Sequence, residues 1–416
     1  MELKNNVNNL DGKNWLRNCI NFYEFEEFNI DEIQKKFYNL CYKKRTSGKS
    51  LNYHDETVVD EYDFTFQYIQ KFSQIELVMQ VIINSAYNSY HVILLDDEVD
   101  LDGNLISKSI TDFITTSGLE YRGKIIINCK KDNTIKKALL ILNRLESKQK
   151  NKVNKYNINV KKSNEYVITS KSKIDKIGLK HPAPYSYNDI ETLVDIENIH
   201  NKTILDPFLG VGSTIFGTYK NNNYNIGIEL NKEYIDLIHE RISFLNLEDL
   251  TSEKYEIING DSSKKIKKLD SEIDIVITSP PYFNILKNKS KGIRHDKSQS
   301  RQGVEYYSEL KDDIGNLNEY SAYLKVMTKI FKDSYDKMPI GGKYYLIISD
   351  FTINKKETDI HSDMIMCMHE AGFSYSGTSY ILQNQKAIYP FGYPYKIVLN
   401  HIFQYIITFE KRWKNE

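Results

Sequence analysis

A regular alternation of short apolar runs and helical patterns across the second half of the chain most constrains its fold. Thr203–Asp206, Asn225–Glu229 and Ile273–Ile277 have the composition of strands, and apolar residues recur at helical spacing between such runs. Strands that alternate with helices predict a parallel sheet with crossover helices. Seven strands are expected, at 203–206, 225–229, 255–258, 273–277, 341–350, 373–382 and 401–409. The predicted fold class is therefore α/β, with a Rossmann-like sheet in the second half and an additional N-terminal α/β region.

The first half of the chain has weaker patterns. Helical stretches are expected near 29–42 and 64–86. Strands are expected at His91–Leu95 and Lys124–Ile127, where β-branched and other apolar residues are concentrated.

The two halves also share a local sequence likeness. Val92–Asp96 is similar to Leu346–Asp350, and in both places a glycine follows the aspartate after 22 residues, at Gly118 and Gly372. A weaker likeness joins 165–169 to 404–408. Either this is chance similarity between two α/β segments, or residues up to about 173 contain a partial, altered second copy of the last strands of the sheet.

Charge is balanced over the whole chain but not along it. The 416 residues include 56 basic and 56 acidic side chains, which excludes polycationic and acidic-tail proteins. Residues 143–180 nevertheless hold 11 basic and three acidic side chains. Such a run is either a solvated linker or a strip that follows a phosphate backbone. We therefore expect an N-terminal region (1–142), a basic linker (143–173) and a second domain (174–416).

The cysteines and the apolar runs predict the cellular compartment and whether the protein has a metal site. Four cysteines lie far apart in the sequence, at Cys19, Cys41, Cys129 and Cys367. Without paired Cys or His spacing, neither a structural zinc site nor a disulfide framework is expected. No apolar run approaches the roughly 18–20 residues of a membrane span, and the first residues lack the apolar core of a signal peptide. We expect a cytoplasmic protein with no metal site.

Three successive predicted strands end in residues suited to one ligand. The first is followed by Asp206-Pro-Phe-Leu-Gly-Val-Gly-Ser-Thr214, whose glycines let a ligand approach the backbone at the start of a helix. Glu229 ends the second, where a carboxylate can accept from two ribose hydroxyls. Asp261 follows the third, where it could accept from an adenine amino group. Their position at one edge of the sheet predicts a shared binding site.

A proline turn closes the fourth predicted strand, at Ser279-Pro-Pro-Tyr282. Two consecutive prolines cannot extend a central strand, and they restrict the residue before them. We therefore expect a rigid turn that directs Ser279 and the backbone carbonyls into the cleft, rather than a turn that merely ends the strand.

These segments together resemble the amino-methyltransferases that use S-adenosylmethionine to methylate exocyclic amines in nucleic acid. Asp206-Pro-Phe-x-Gly-x-Gly is similar to their cofactor motif and Ser279-Pro-Pro-Tyr282 to their catalytic motif. His181-Pro-Ala-Pro-Tyr-Ser186 is similar to the segment that closes over the methionine end of the cofactor. Val211-Gly-Ser213 departs from the commoner Ser-Gly-Thr. The resemblance covers 174–416, with the motifs in the order of one of the family's circular permutations.

The resemblance implies S-adenosylmethionine as the cofactor and assigns roles to individual residues. The implied cofactor-binding residues are His181, Pro182, Asp206, Phe208, Gly210, Gly212, Ser213, Thr214, Glu229 and Asp261, and the implied catalytic residues are Ser279, Pro280, Pro281 and Tyr282. Acceptors from Ser279 and the Pro280 carbonyl could draw a delocalised amine nitrogen toward tetrahedral geometry. Tyr282 would stack on a base extruded from the duplex. This chemistry requires neither a metal nor a covalent nucleophile.

A second basic segment follows the catalytic motif directly. Residues 287–301 contain six basic side chains and one acidic one. Because this segment would lie at the mouth of the cleft, five of its side chains are expected to contact DNA, namely Lys287, Lys289, Lys291, Arg294 and Arg301. Tyr389–Pro394 is either an aromatic loop near the base pocket or a proline-rich hairpin connection.

The implied activity is site-specific methylation of cytosine N4 in double-stranded DNA, in a prokaryote or phage, with a cognate restriction endonuclease as a possible partner. The Ser-Pro-Pro-Tyr form is similar to the cytosine-N4 enzymes, whereas adenine-N6 enzymes more often carry Asp at the position of Ser279. Adenine-N6 methylation, guanine-N2 methylation of RNA and a non-catalytic DNA-binding subunit remain alternatives. Residues 1–142 would recognise the target, mediate dimerisation or be the altered copy. Since they lack Pro-Pro-Tyr, we expect them to bind no second reactive base.

Overall fold

The chain folds into two compact units. A computed structural model describes residues 21–42, 64–85, 89–143, 145, 152–170, 174–247, 249–283, 310, 312–353, 356–383, 386 and 398–413. Unit 1 consists of the described residues up to Ile158 together with those of 350–362 and 383–403. Unit 2 consists of those of 159–349, 363–382 and 404–413.

Strands and helices are numbered in chain order. The strands are β1 Phe22–Phe25, β2 Phe64–Ile69, β3 Tyr90–Leu95, β4 Glu120–Cys129, β5 Thr134–Leu142, β6 Val167–Thr169, β7 Thr203–Asp206, β8 Tyr224–Glu229, β9 Tyr255–Asn259, β10 Ile275–Thr278, β11 Lys343–Ile348, β12 Phe351–Ile353, β13 Lys356–Thr358, β14 Ser374–Leu382 and β15 Phe403–Glu410. The α-helices are α1 Ile30–Tyr42, α2 Ile75–Asn84, α3 Ile106–Ser117, α4 Tyr187–Ile196, α5 Ser213–Thr218, α6 Lys232–Phe244, α7 Ser262–Lys265, α8 Tyr320–Lys337 and α9 Ile360–Ala371.

Unit 1 contains a five-stranded mixed sheet in the order β1-β4-β5-β3-β2. Strand β5 runs antiparallel to both β3 and β4, whereas β1 with β4 and β2 with β3 are parallel pairs. Apolar residues of α2 and α3, such as Ile82 and Phe113, pack with sheet residues such as Ile93 and Ile141 in one buried cluster. The amphipathic pattern of the helices thus supplies one face of the core.

The sequence-based prediction for the first half was right in part. The helix near 29–42 and the strand at His91–Leu95 are confirmed as α1 and β3. The helix expected at 64–86 is wrong in its first part, because 64–69 forms β2 and α2 begins only at Ile75. Phe64–Ile69 is rich in aromatic and β-branched residues, and pairing with β3 favours the strand.

Unit 2 contains an eight-stranded sheet in the order β6-β14-β15-β11-β10-β7-β8-β9. The neighbouring pairs from β11 through β10, β7 and β8 to β9 are parallel, so their carboxyl ends lie at one edge. The predicted Rossmann-like α/β fold is confirmed, but with eight strands instead of seven. The additional strand β6 pairs with β14 over only three residues.

The structure divides the chain differently from the three contiguous regions expected. Residues 350–362 and 383–403, which were included in 174–416, belong to unit 1. Buried polar contacts are one physical reason: Lys124 of β4 lies 2.8 Å from the Glu98 carboxylate and 3.7 Å from that of Asp359. The carboxylate of Glu357 in β13 lies 2.6 Å from the His401 imidazole.

The two sheets repeat one arrangement of strands. The order β1-β4-β5-β3-β2 in unit 1 corresponds to β6-β14-β15-β11-β10 in unit 2. In both sheets the first two strands are parallel, the third and fourth are antiparallel, and the last two are parallel. The likeness between 165–169 and 404–408 does not follow this correspondence, because β6 takes the place of β1 and β15 that of β5.

The strand register extends this correspondence to single residues. Thr278 of β10 pairs with Leu346, four residues before Asp350, and Phe66 of β2 pairs with Val92, four residues before Asp96. With Asp96 aligned to Asp350, the segment Gln67-Tyr-Ile-Gln70 therefore takes the place of Ser279-Pro-Pro-Tyr282. Without the prolines, β2 continues as a strand through Ile69.

Three further properties concern only the part of the chain that the structure describes. Its helices include none long and apolar enough to cross a membrane. Its His, Cys, Asp and Glu side chains form no group of three or more suited to a metal ion. Three free cysteines are buried in it, Cys41, Cys129 and Cys367, whereas Cys19 lies outside the described residues.

Candidate active site

A cleft lies at the carboxyl edge of the parallel strands of unit 2. It encloses about 720 Å³, including space open to solvent. Segments that follow four adjacent strands line it: 207–210 after β7, 229–231 after β8, 261–262 after β9 and 279–282 after β10. The structure therefore brings the predicted binding and catalytic segments together at the edge where ligands of open α/β sheets bind.

The glycines of the first segment have specific conformational roles. Gly210 and Gly212 have φ angles of +54° and +84°, in the left-handed region that favours glycine. A Cβ on Gly212 would lie 3.1 Å from Ile238, and one on Gly210 would lie 3.4 Å from Nε2 of His181. The tight turn between β7 and α5 therefore requires both glycines.

Glu229 is held at the end of β8 by two backbone donors. The N–H groups of Gly210 and Asn231 each donate to its carboxylate at 2.7 Å. Burial nevertheless raises the pKa of Glu229 to about 7, with the charges of Asp206 and Asp313 adding to the rise. A ligand that donates hydrogen bonds to this carboxylate would favour its ionised form.

The His181 ring lies next to Gly210 of the glycine turn. Its ring contacts the Tyr234 ring edge to face, with 4.6 Å between the ring centroids. The Ala183 N–H donates to its Nδ1 at 3.2 Å, which places the ring proton on Nε2. His181, Ala183 and Tyr234 all line the cleft.

Asp261 lines the cleft at the start of α7. Its carboxylate accepts from the Ser263 backbone N–H at 2.9 Å and pairs with Lys264 at 3.0 Å. Burial alone would raise the pKa of Asp261, but Lys264 and Ser263 outweigh this effect and lower it. The carboxylate therefore stays ionised at neutral pH.

The Ser279-Pro-Pro-Tyr282 turn lies at the end of β10, and all four residues line the cleft. Tyr323 of α8 donates a hydrogen bond to the Pro281 carbonyl at 3.1 Å. The Phe283 ring packs against the rings of Tyr320 and Tyr323, which stack on each other. The turn is thus supported by aromatic side chains one helical turn apart, in addition to its own prolines.

Some predicted cofactor residues do not line the cleft. Pro182, Asp206, Gly212, Ser213 and Thr214 lie beside or behind it rather than among its lining residues, whereas His181, Phe208, Gly210, Glu229 and Asp261 line it. Ser213 donates to the Tyr185 carbonyl and Thr214 donates to the Asp206 carboxylate, so both side chains bond within the protein. A motif pattern does not distinguish these supporting residues from those exposed to a ligand.

Several residues at the site carried no signal in the sequence. Asp313 and Ile314 line the cleft, and the Asp313 side chain accepts from the Gly315 N–H at 2.9 Å. Arg241 of α6 is fully buried and donates to the Val211 carbonyl and to the Asp175 carboxylate. It therefore links the glycine turn to the segment before His181. Tyr234, which also lines the cleft, lies in α6, where apolar residues recur at helical spacing in the sequence.

None of the five side chains expected to contact DNA lies among the described residues. Lys287, Lys289, Lys291, Arg294, Arg301 and the segment 389–394 lie outside the described residues. Of the basic run at 143–180, Lys161 pairs with Glu410 at 2.7 Å. Because Glu410 is in register with Lys343 at the amino end of β11, Lys161 lies at the edge of the sheet opposite the cleft. This part of the run therefore does not flank the cleft.

The sequence model of a family described as DNA methylase, N6_N4_Mtase, matches residues 27–240. This range is more than half of the 416 residues. The chain belongs to the N6/N4 DNA methylase family. The match begins in unit 1, includes the glycine turn and ends within α6, before Ser279. The sequence similarity of this chain to the family therefore extends into unit 1.

Curated relatives match this chain over short segments. The orphan methyltransferase M.BamHII of Bacillus amyloliquefaciens is 36% identical over 72 residues, which are 17% of this chain and 27% of that protein. The Type II methyltransferase M.BglII of Bacillus subtilis is 36% identical over 63 residues, 15% of this chain and 18% of that protein. The chain therefore spans less than a third of the length of either relative.

Solved structures with some similarity include TrmN from Thermus thermophilus and a SAM-dependent methyltransferase from Methanosarcina mazei. TrmN is 10% identical, with 74% of this chain and 67% of that chain covered and a TM-score of 0.35. The second is 14% identical, with 53% and 98% covered and a TM-score of 0.33. Similarity at this level adds nothing to the family assignment.

The methyl donor of the family is S-adenosylmethionine, and the residues of the cleft fit it. The buried Glu229 carboxylate suits ribose hydroxyls, and the ionised Asp261 suits an amino group. The glycine turn allows close approach to the backbone beneath His181. His181, Phe208, Gly210, Glu229 and Asp261 would hold the cofactor.

Cofactor affinity should depend on pH through Glu229. Burial raises the pKa of Glu229 to about 7, and we expect the ribose of the cofactor to donate hydrogen bonds to its ionised form. Below pH 7 binding must therefore release a proton, which weakens affinity by up to about tenfold per pH unit. We expect the dissociation constant of S-adenosylmethionine, measured by calorimetry, to be about tenfold higher at pH 6 than at pH 8.

The variant Glu229→Gln provides the control, because its side chain has the same shape and does not titrate in this range. It should bind more weakly than the wild type at pH 8 and lose the difference between pH 6 and pH 8. An unchanged pH dependence in Glu229→Gln would assign the titration to another group.

Proposed function

We propose that this protein is a site-specific DNA methyltransferase that transfers a methyl group from S-adenosylmethionine to the exocyclic N4 of cytosine. The observation that carries the proposal is the position of Ser279-Pro-Pro-Tyr282 in the same cleft as Glu229 and the glycine turn. The serine form of the motif favours cytosine by resemblance, and adenine N6 is the alternative base. The activity is assigned to unit 2, which contains every lining residue of the cleft that the structure describes.

The chemical difficulty is the low nucleophilicity of an amine whose lone pair is delocalised into the ring. Ser279 Oγ and the Pro280 carbonyl would accept hydrogen bonds from the two amine hydrogens, drawing the nitrogen toward tetrahedral geometry and localising its lone pair. The cofactor supplies an electrophilic methyl group on a sulfonium. The rigid proline turn holds both acceptors in place, so much of the rate enhancement comes from positioning.

The reacting base must leave the duplex before it can reach this cleft. Extrusion costs a few kcal/mol, which stacking on an aromatic side chain partly offsets. Tyr282 lines the cleft beside Ser279, and we assign it this stacking role. The basic side chains of 287–301 would bind the phosphates on either side of the extruded base.

We propose that unit 1 is an altered copy of strands β6, β14, β15, β11 and β10 of unit 2. In this proposal the copy has lost the ability to transfer a methyl group. The shared strand order, the register that places Gln67–Gln70 at the position of the catalytic turn, and a family match beginning at residue 27 support this assignment. Recognition of the target sequence is a second role proposed for this unit. The restriction endonuclease partner expected from the resemblance stays a prediction.

The base and the recognition site can be determined in one experiment. The protein is expressed in a host that lacks endogenous DNA methylation, and the genomic DNA is sequenced by a method that distinguishes N4-methylcytosine from N6-methyladenine. We expect N4-methylcytosine in one fixed sequence context, and none in cells carrying the empty vector. N6-methyladenine in a fixed context would replace cytosine as the substrate, and unmodified DNA would contradict the proposed activity.

A further inference from the structure

A single buried carboxylate joins three segments of the cleft wall. Asp206 at the end of β7 is 2% exposed and does not line the cleft. Its Oδ2 accepts from Thr214 Oγ1 at 2.5 Å and from the Tyr185 hydroxyl at 3.1 Å. Its Oδ1 accepts from the Phe208 N–H at 2.9 Å and from Thr278 Oγ1 at 2.6 Å.

These four donors come from different parts of the site. Tyr185 belongs to the segment that begins at His181, and Thr214 belongs to the first turn of α5. Thr278 is the last residue of β10, is fully buried, and directly precedes Ser279. Among these contacts, the hydrogen bond from Thr278 is the one that links the Asp206 carboxylate to the strand of the catalytic turn.

Because Asp206 is buried, its carboxylate depends on the hydrogen bonds that it accepts. Burial raises the pKa of Asp206, and hydrogen bonds from Thr214 and Thr278 oppose the rise. A carboxylate withdrawn from water depends on its donors, and hydrogen bonds to charged groups are stronger than those between neutral groups. Loss of one donor therefore releases mainly the segment that carries it, because the remaining donors still bind the carboxylate.

We infer that Thr278 is a positioning residue for methyl transfer: its hydrogen bond to Asp206 sets the place of Ser279 relative to the glycine turn. This inference rests on the proposed role of Ser279 as an acceptor for the reacting amine. Thr278 itself does not line the cleft, so it acts through the residue that follows it. The corresponding register position in unit 1 is Phe66, which has no hydroxyl to donate.

The variant Thr278→Val removes the donor and keeps the branched shape. Asp206 retains Phe208 on the same oxygen and both donors on the other, so the glycine turn should stay in place. We expect kcat for methyl transfer to fall about 10- to 100-fold, in line with a hydrogen bond to a charged group. The dissociation constant of S-adenosylmethionine, measured by calorimetry without DNA, should change by less than about threefold.

Two further variants separate positioning from a general loss of structure. Thr278→Ser keeps the hydroxyl and should restore most of kcat. Thr218→Val is the matched control, because Thr218 is a fully buried threonine that bonds to Asn225 and to the Thr214 carbonyl. It should lower thermal stability without a comparable loss of kcat. Equal losses in Thr218→Val and Thr278→Val, or no recovery with serine, would overturn the inference.

A measurement independent of catalysis distinguishes this inference from the proposed function. Amide hydrogen exchange at 279–283 should accelerate in Thr278→Val, while exchange at 208–217 stays as in the wild type. If the wild type transfers no methyl group, the proposed function fails, but the exchange result still decides whether Thr278 positions the turn. Unchanged exchange at 279–283, or an equal acceleration in both segments, would overturn the positioning role.

Discussion

Replacing Ser279 with alanine should reduce methyl transfer to DNA by about 10²- to 10³-fold in kcat, the size of effect seen when one positioned hydrogen-bonding group is removed from an active site. Ser279 lines the cleft at the end of β10, beside two prolines that hold the backbone rigid. Alanine removes the proposed amine acceptor and leaves the backbone of the turn unchanged. Transfer of radiolabelled methyl groups to duplex DNA under single-turnover conditions measures the effect on the chemical step.

The matched control for this variant lies in unit 1. Gln67 occupies the register position that corresponds to Ser279, and Gln67→Ala should transfer methyl groups at the wild-type rate. The affinity of Ser279→Ala for S-adenosylmethionine should stay within about threefold of wild type, because Glu229 and the glycine turn are unaltered. Full activity of Ser279→Ala would contradict the mechanism, and a large loss in Gln67→Ala would show that unit 1 takes part in the chemistry.

Replacing Lys124 with methionine should destabilise unit 1 by about 3–5 kcal/mol, the usual cost of removing one partner from a buried ion pair. The Lys124 ammonium is fully buried, 2.8 Å from Glu98 and 3.7 Å from Asp359. It also lies 3.1 Å from His361, whose pKa is lowered well below its ordinary range by burial and by the Lys124 charge. Methionine would leave two buried carboxylates without this cation.

The loss should depend on pH in a defined direction. In the wild type, burial opposes ionisation of Asp359, but Lys124 outweighs it and holds the pKa of that carboxyl below its ordinary value. Without the lysine, burial would raise the pKa of Asp359 in the folded state above that in the unfolded state. The destabilisation of Lys124→Met should therefore be largest near pH 8 and shrink as the pH falls toward 5.

Hydrogen exchange followed by mass spectrometry can assign this effect to unit 1. Peptides from 120–129 and 356–362 should lose protection in Lys124→Met, whereas those from 203–229 should keep it. Lys130→Met is the control, because Lys130 forms an exposed ion pair with Glu24, and it should cost less than about 1 kcal/mol. Comparable losses of protection in the two variants would show that the buried cluster is not a major source of stability.

Much of the cleft was predictable because its residues follow strands in the sequence. Parallel strands bring their carboxyl ends to one edge, so Gly210, Glu229, Asp261 and Ser279 were expected to meet, and all four line the cleft. Asp313 and Tyr323 were not predictable. They are distant in sequence from the motifs, and only the packing of α8 and of the segment before it brings them to the site.

Some residues of the cofactor motif lie beside or behind the cleft rather than on its surface. Asp206, Ser213 and Thr214 belong to the cofactor motif, but their side chains are buried and bond within the protein. Sequence spacing specifies which residues accompany a turn. It does not specify which of them face the ligand, because that depends on the direction of each side chain from the folded backbone.

The sequence alone determined that this protein has a parallel α/β sheet with a binding edge, since the alternation of strands and helices and the residues at strand ends are local properties. Only the tertiary structure decided that β2 is a strand, that 350–362 and 383–403 belong to unit 1, and that unit 1 repeats the strand order of β6, β14, β15, β11 and β10. The reason is that strand pairing and the burial of charges such as Lys124 depend on residues up to hundreds of positions apart, whose approach no local pattern records.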